Sequence, residues 1–407
     1  MDLAGPGIAR AVKIAWMTLA GLLVLWLLAW WLAKPPVPGD FYAFDLSPGT
    51  GPGELLRVEA FAQDIPDHAR GWRILYTTTG LDGDVRLASG IVVASTKAPA
   101  GPQPVIAWAH GTTGIARGCA PSLLKNTFAF VPAWPQVLEQ GWIWVATDYS
   151  GLGTAGPHPY LVGRSEAYAM LDAARAARAI DSLEVSPLAV AWGHSQGGHA
   201  ALWAGIVAPD YAPDVGLAGV AAVAPASDLV ELVSAVHDAF IGRMLSALLV
   251  HAYSEVYTDV EADELLRPWA RPLARDMAGR CMAGLEIAVS ALPALLGRPT
   301  LFRRNPPNGT FRQRLSENTP VDRIDAPLLI AQGGEDSTVP PGIQGGYVAR
   351  RCLDGQPIDY RGFPAQDHLS IVGEDSPVPD LLIDWSRARF AAEASADRCV
   401  ISQHPQQ

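Results

Sequence analysis

Apolar positions along this chain fall into two patterns, one long and unbroken, the other short and recurrent. From Ile14 to Ala33 the sequence reads IAWMTLAGLLVLWLLAWWLA, twenty residues without a charge. About 20 apolar residues suffice to span a bilayer as a helix, so this segment predicts a membrane anchor or export signal rather than a buried core helix. Arg10 and Lys13 precede it and favour an N-terminus on the inner side, while Trp30 and Trp31 suit the far interface. A cleaved signal peptide is the competing reading; its apolar core usually runs about 7–15 residues to a small-x-small site. Here Trp31-Leu32-Ala33 lacks the first small residue, and Lys34-Pro35-Pro36 follows at once. Either reading sends the rest of the chain out of the cytoplasm.

The second pattern begins after a Pro- and Gly-rich linker or irregular arm, Pro35 to Gly53. Trp72–Thr78 and Val85–Ser95 are β-rich runs, with the turn pair Asp82-Gly83 between them. Short runs that are apolar on both faces follow: Pro104–Ala109, Trp142–Thr147, Pro187–Trp192, Leu217–Val223 and Pro327–Ala331. Such runs predict central strands of a parallel sheet. Ser165–Ile180 and Gln196–Val207 read as helices between them, which gives an α/β fold with a mainly parallel sheet and helices on both faces.

Between Pro225 and Pro320 the rhythm turns helical, in Asp228–Leu249, Asp259–Arg275 and Met282–Leu296, with Pro268, Pro272 and Pro293 as breaks or kinks. A structureless loop of that length is uncommon in a compact domain, so an inserted helical cap is expected. The expected organisation is a signal or anchor over 1–40, a first core part over 41–225, a cap over 226–318, and a second core part with a tail over 319–407.

Composition narrows the class. Of 407 residues, 17% are charged and 49% hydrophobic, against a usual charged share of about 25%, which disfavours disorder and coiled coil. The net charge is −11 and no basic run is visible, so a nucleic-acid partner is not expected. Cys119, Cys281, Cys352 and Cys399 form no C-x-x-C pair and have no histidine at metal-ligand spacing. Zinc and thioredoxin-type chemistry are disfavoured on those grounds. In an exported chain four cysteines suggest two disulfides, with three possible pairings; four buried thiols are the alternative.

Gly193-His194-Ser195-Gln196-Gly197 has the G-x-S-x-G pattern, placed after a β run and before an apolar helix. That is the context of a nucleophile elbow, in which a sharp strand-to-helix turn raises the serine hydroxyl above the sheet. A serine needs a base, and the base an orienting carboxylate. In elbow-bearing folds the chain order is Ser, Asp or Glu, then His. His68, His110, His158 and His194 precede Ser195; His199 lies one turn into the elbow helix, as a packing or supporting residue. His237 and His251 fall in the expected cap and His404 in a polar tail, which leaves His368. For the acid, the loop after Leu328–Ala331 offers Glu335 and Asp336. Asp336, nearer Val339-Pro340, is expected to point to the histidine loop, with Glu335 as fallback; Asp367 is too close along the chain to turn onto its neighbour's ring. The oxyanion donors are expected from the backbone of Gln196 and of Thr112, or else Gly111, in His110-Gly111-Thr112-Thr113-Gly114.

HGTTG at 110–114, ATDYSGLG at 146–153, GHSQGG at 193–198, GGEDSTVP at 333–340 and FPAQDHLS at 363–370 together resemble the secretory lipase family, the group of lipase-A-type yeast enzymes and their bacterial relatives. The resemblance covers roughly Phe41 to Cys399. It implies an α/β-hydrolase fold, with Ser195 as nucleophile, Asp336 as acid, His368 as base and oxyanion contacts near Thr112 and Gln196. It also implies the pairs Cys119–Cys281 and Cys352–Cys399. Members typically carry a cleaved signal, and the long segment at 14–33 departs from that.

The expected function is hydrolysis of a carboxylic ester, on lipid or other acyl esters, with no metal or organic cofactor. Acyl transfer to a lipid or cell-envelope alcohol uses the same residues, and a membrane-tethered binding protein on a hydrolase scaffold is the reading from another class.

Overall fold

A computed structural model describes residues 6–47, 49–282, 287, 289, 300–304 and 308–404. Ten strands form one sheet among the described residues: β1 (Leu55–Phe61), β2 (Ala69–Thr79), β3 (Val85–Ser95), β4 (Gln103–Ala109), β5 (Ile143–Ser150), β6 (Val185–His194), β7 (Gly216–Val223), β8 (Leu328–Gly333), β9 (Asp359–Phe363) and β10 (Val400–Gln403). Their order is β1-β2-β3-β5-β4-β6-β7-β8-β9-β10. The pairs β1/β2, β2/β3 and β3/β5 are antiparallel, and every neighbour from β5 to β10 is parallel. This is the expected α/β fold, a mixed and mostly parallel sheet. The runs read as central strands all lie in it, and the Asp82-Gly83 turn joins β2 to β3. β1 and β10 were not expected. Both are edge strands: β1 mixes Arg57 and Glu59 with its apolar residues, and β10 has only four residues.

Each central strand divides its side chains between two cores, as period-two alternation requires. On one face, Val105, Ala107 and Ala109 of β4 and Ala189 and Ala191 of β6 pack with helices α3 (Gly163–Ala177) and α4 (Gln196–Tyr211). On the other, Ile106, Trp108, Trp144, Val190 and Trp192 meet α2 (Trp134–Glu139) and α11 (Val378–Phe390). The alanine-rich face lets α3 and α4 sit close to the backbone, while the tryptophan face fills a wider gap. Burying one Trp-sized side chain contributes roughly 3 kcal/mol or more.

Between β7 and β8 the described chain is helical: α5 (Leu229–Val236), α6 (Phe240–Val256), α7 (Ala262–Leu265), α8 (Arg271–Ala278) and α9 (Gly309–Glu317). They share a third apolar core with Tyr160, Leu161 and Val339 of the main body. The single run read over Asp228–Leu249 is two helices. Asp228 caps the first through its side chain, which accepts from the Glu231 N–H, and the chain turns so tightly that a Cβ on Gly242 would lie 1.7 Å from the Val236 carbonyl oxygen. Asp259–Arg275 also splits, with Pro268 between the pieces and Pro272 in the first turn of α8, where its missing N–H costs nothing. Most of the run read over Met282–Leu296, with Pro293, lies outside the described residues.

The N-terminal run is a helix, α1 (Pro6–Leu32). The expected linker after it has no long helix or strand, only short turns such as that at Asp40–Tyr42, and part of it is fixed: Tyr42 is buried, and its hydroxyl lies 2.7 Å from Ser122 Oγ; Ala33, at the end of α1, is buried too. One helix, α10 (Pro341–Leu353), connects β8 to β9. Two disulfides join Cys119 to Cys281 and Cys352 to Cys399, and among the described residues no cysteine is free.

Candidate active site

β6 ends at His194 and α4 begins at Gln196, so the whole turn rests on Ser195. Its φ of 58° and ψ of −115° lie in a region that L-residues rarely adopt, a strain of roughly 1–3 kcal/mol that the surroundings must hold. The glycines on either side explain how. A Cβ on Gly193 would lie 1.9 Å from the Gly197 carbonyl oxygen, and one on Gly197 would lie 1.8 Å from that of Ala109. The turn also stands at the N-terminus of α4, where the first N–H groups have no partner within the helix and the helix dipole favours negative charge.

The Ser195 hydroxyl lies 2.9 Å from His368 Nε2, and His368 Nδ1 lies 2.7 Å from Asp336 Oδ2. Asp336 follows β8, is 3% exposed, and is held by more than the histidine. Its Oδ1 accepts the Thr338 and Val339 N–H groups at 2.8 and 2.7 Å, and its Oδ2 accepts Gln332 Nε2 at 3.1 Å. Glu335, the fallback, is exposed. Asp367 is exposed too. Its Oδ1 accepts the Leu369 and Ser370 N–H groups, which shapes the histidine loop; the bond from Ser370 is the main reason its carboxyl lies below the usual range.

The His110–Gly114 loop passes over the elbow. A Cβ on Gly111 would lie 3.3 Å from His194 Nδ1 and 3.7 Å from Ser195 Cβ. Thr112 Oγ1 is 2.9 Å from the Tyr160 hydroxyl, and the Thr113 carbonyl accepts the Met282 N–H at 2.8 Å. Thr112, Gly111 and Gln196 therefore flank Ser195 from the loop and from the helix. The ATDYSGLG segment supports the same corner: buried Asp148 accepts Ser89 Oγ and Ser122 Oγ at 2.6 and 2.5 Å, and Tyr149 OH donates to the His110 carbonyl at 3.1 Å.

Glu166, Asn318 and Tyr257, which the sequence reading did not single out, complete the surroundings together with His199, read there as a packing or supporting residue. Glu166, wholly buried on α3, accepts Gln196 Nε2 at 2.7 Å and the Leu161 N–H at 2.9 Å, and its Oε2 faces His199 Nδ1 at 3.3 Å. His199 Nε2 donates to the Asn318 carbonyl at 2.7 Å, and Asn318 Nδ2 donates to the Tyr257 hydroxyl at 2.7 Å. Burial raises the Glu166 carboxyl. The sequence signal is faint: one of two acids, directly after a serine, in an alanine-rich helix. His194, set aside by chain order, is buried against the base, with ring centroids 4.8 Å apart and its Nε2 donating to the His368 carbonyl at 2.8 Å. Burial, with His368 beside it, lowers its pKa to about 3, so it stays neutral near pH 7. Beside Ser195 lies a narrow cleft lined by Tyr160, Leu161, Leu229, Leu232, Val233, Val236, Leu245, Leu249 and Val339. Its walls are almost wholly apolar. Among the described residues no cluster of three or more His, Cys, Asp or Glu is arranged to hold a metal ion.

Comparison with known proteins converges on one group. The model of the secretory lipase family matches residues 132–290, which include the elbow and most of the helical segment. The chain is a relative of the secretory lipases. Lipase A of Moesziomyces aphidis is 24% identical over 82% of this chain and 76% of its own. A probable inactive lipase of Mycobacterium tuberculosis is 24% identical over 87% of this chain and 82% of its own. The closed-state crystal structure of Candida antarctica lipase A superposes with a TM-score of 0.73 at 20% identity, covering 91% of both chains, which establishes the α/β-hydrolase fold. In sequence and fold this secretory-lipase relative is similar to lipases and esterases. The family match, the apolar N-terminal helix and the two disulfides together support export.

Proposed function

We propose that the protein hydrolyses carboxylic esters through Ser195, His368 and Asp336, by way of an acyl-enzyme. The observation that carries this reading is the unbroken set of hydrogen bonds from Ser195 Oγ through the imidazole to the buried carboxylate. Asp336 holds the proton of His368 on Nδ1, which leaves Nε2 free to take the serine proton as Oγ attacks the ester carbonyl. The N–H of Gln196, aided by that of Thr112, would bind the developing oxyanion; one such donor is worth roughly 3–4 kcal/mol. His368 then returns the proton to the leaving alcohol and activates the water that releases the acid.

The helical segment over 226–318 acts in this reading as a cap that closes the acyl cleft. The apolar walls suit the acyl chain of a lipid ester, as the family name also suggests. The protein would work outside the cytoplasm, either anchored through residues 14–33 or released. One relative is named a probable inactive lipase; the complete triad geometry favours an active enzyme here. The test is turnover of p-nitrophenyl esters from acetate to palmitate, with an alcohol acceptor added in a parallel run. Free acid is the expected product. Acyl transfer to the alcohol at the expense of acid would replace hydrolysis with transferase chemistry, and the absence of any acyl-enzyme would end both.

A further inference from the structure

The structure shows a connection between α1 and the active-site corner that an export signal does not require. The window Arg10–Leu32 is long and apolar enough to cross a membrane and lies outside the protein body. Its end, however, is built into that body. Trp30 Nε1 donates to Asp276 Oδ1 at 3.0 Å. The Arg280 guanidinium donates to the carbonyl oxygens of Ala33 and Trp30, and lies 5.1 Å from the centre of the Trp30 ring. Asp276 braces it with two further bonds, at 3.0 and 3.1 Å. Arg280 is 6% exposed and Ala33 3%.

The carbonyls at a helix C-terminus lack internal partners and carry the negative end of the dipole. A buried cation that caps them is a specific complement to this helix end. Next along the chain, Pro35 and Pro36 lie on Gly118 so closely that a Cβ there would sit 2.0 Å from the Pro36 carbonyl oxygen. Gly118 adjoins Cys119, which is bonded to Cys281; Cys281 bridges to Gly114, and the Met282 N–H donates to Thr113. Only Cys281 therefore separates the cation that holds α1, Arg280, from Met282, whose N–H holds the loop at Thr113.

We propose that α1 stays on the mature protein as a membrane anchor latched by Asp276 and Arg280, so that the acyl cleft is held beside the outer surface of the bilayer and takes its ester lipids from that membrane. Cleavage after Ala33 would remove the Trp30 ring and both carbonyls' helix, and would leave a buried guanidinium facing a new chain end. The latch also makes the anchor more than a tether. A flexible linker would leave the cleft free to turn, whereas the cap-to-helix bonds fix its orientation. This inference rests on the ester-hydrolase reading only for its substrate.

The deciding experiment uses the full chain. Intact mass and N-terminal peptide mapping of the mature protein, with alkaline carbonate extraction of membranes, are expected to find residues 14–33 present and the protein in the pellet. A mature N-terminus at Lys34 or later, with soluble protein, would overturn the proposal. For the latch, Trp30→Leu and Arg280→Gln are compared with the parent in vesicles of phosphatidylcholine and phosphatidylglycerol that contain a fluorogenic ester lipid. Hydrolysis of the vesicle-borne ester is expected to fall tenfold or more, while turnover of p-nitrophenyl butyrate stays within twofold. An unchanged ratio of the two rates in Trp30→Leu, which leaves the protein body untouched, would contradict the latch. If neither substrate is turned over, the hydrolase reading fails, and a disulfide formed between Trp30→Cys and Asp276→Cys still decides whether α1 docks.

Discussion

Two histidine–carboxylate pairs flank the first turn of α4, and they differ in what the second ring nitrogen meets. In the pair His368–Asp336 the nitrogens are 2.7 Å from a carboxylate and 2.9 Å from the Ser195 hydroxyl. In the pair His199–Glu166 they lie 3.3 Å from a carboxylate and 2.7 Å from a backbone carbonyl. A carbonyl only accepts, so His199 Nε2 must keep its proton and cannot take up another. His368 Nε2 faces a hydroxyl and can accept one. Access differs too: the His368 side chain is 12% exposed, whereas both members of the inner pair are at 0%. A histidine beside a buried acid is therefore not in itself a catalytic pair; the third partner and the opening to substrate make it one.

The largest effect that can break this comparison is on rate. Asp336→Asn should lower kcat by about 10⁴ by holding His368 in the wrong tautomer, and His368→Ala by at least as much. The thermal midpoint should change little. Near-parental turnover in either variant would put the base elsewhere. For the inner pair the effect should move to stability: Glu166→Ala strands His199 Nδ1 and the Leu161 N–H in the core, at a cost of about 3–5 kcal/mol in urea unfolding. A variant as stable as the parent would mean that the network carries no load.

A pH measurement sharpens the contrast with a third histidine. His194 is neutral and buried, with a folded pKa of about 3 against 6.5 when free. The unfolded chain therefore binds one more proton at this position between those values. The stability this group contributes is complete above pH 6.5 and is lost as pH falls toward 3, by about 1.4 kcal/mol per unit. In His194→Gln that part of the slope should vanish, and an unchanged acid limb would contradict the assignment. The smallest effect is expected from Tyr160→Phe. Loss of the hydroxyl beside Thr112 Oγ1 removes a bond worth about 0.5–1.5 kcal/mol, so kcat should fall no more than about tenfold, with KM for a short ester nearly unchanged.

The comparison also marks how far the sequence could be read. The central strands were legible because residues such as Val105 to Ala109 are apolar on both faces, a demand imposed by the two cores they join. Ser195 was legible because the elbow forces glycine at 193 and 197. Asp336 could be preferred over Glu335 from the neighbouring Val-Pro, but its burial by two N–H donors is a property of the folded loop. Glu166 was not legible. An acid in an alanine-rich helix reads as a solvated charge, and Gln196 and His199, brought up by α4, turn it into a buried anchor. The edge strands escaped for a related reason, since half-exposed strands carry charges that blur the apolar pattern. In the arm after α1, composition suggested a linker, but Tyr42 and Ala33 are held by partners far along the chain.

The central claim is that Ser195 is the activated nucleophile, and covalent capture tests it most directly. The intact protein treated with a fluorophosphonate ester, followed by mass spectrometry, should carry one adduct per chain, on the peptide that contains Ser195. Ser195→Ala should carry none, and His368→Ala should label far more slowly. A parent protein that stays unlabelled, or an adduct that persists in Ser195→Ala, would contradict the account.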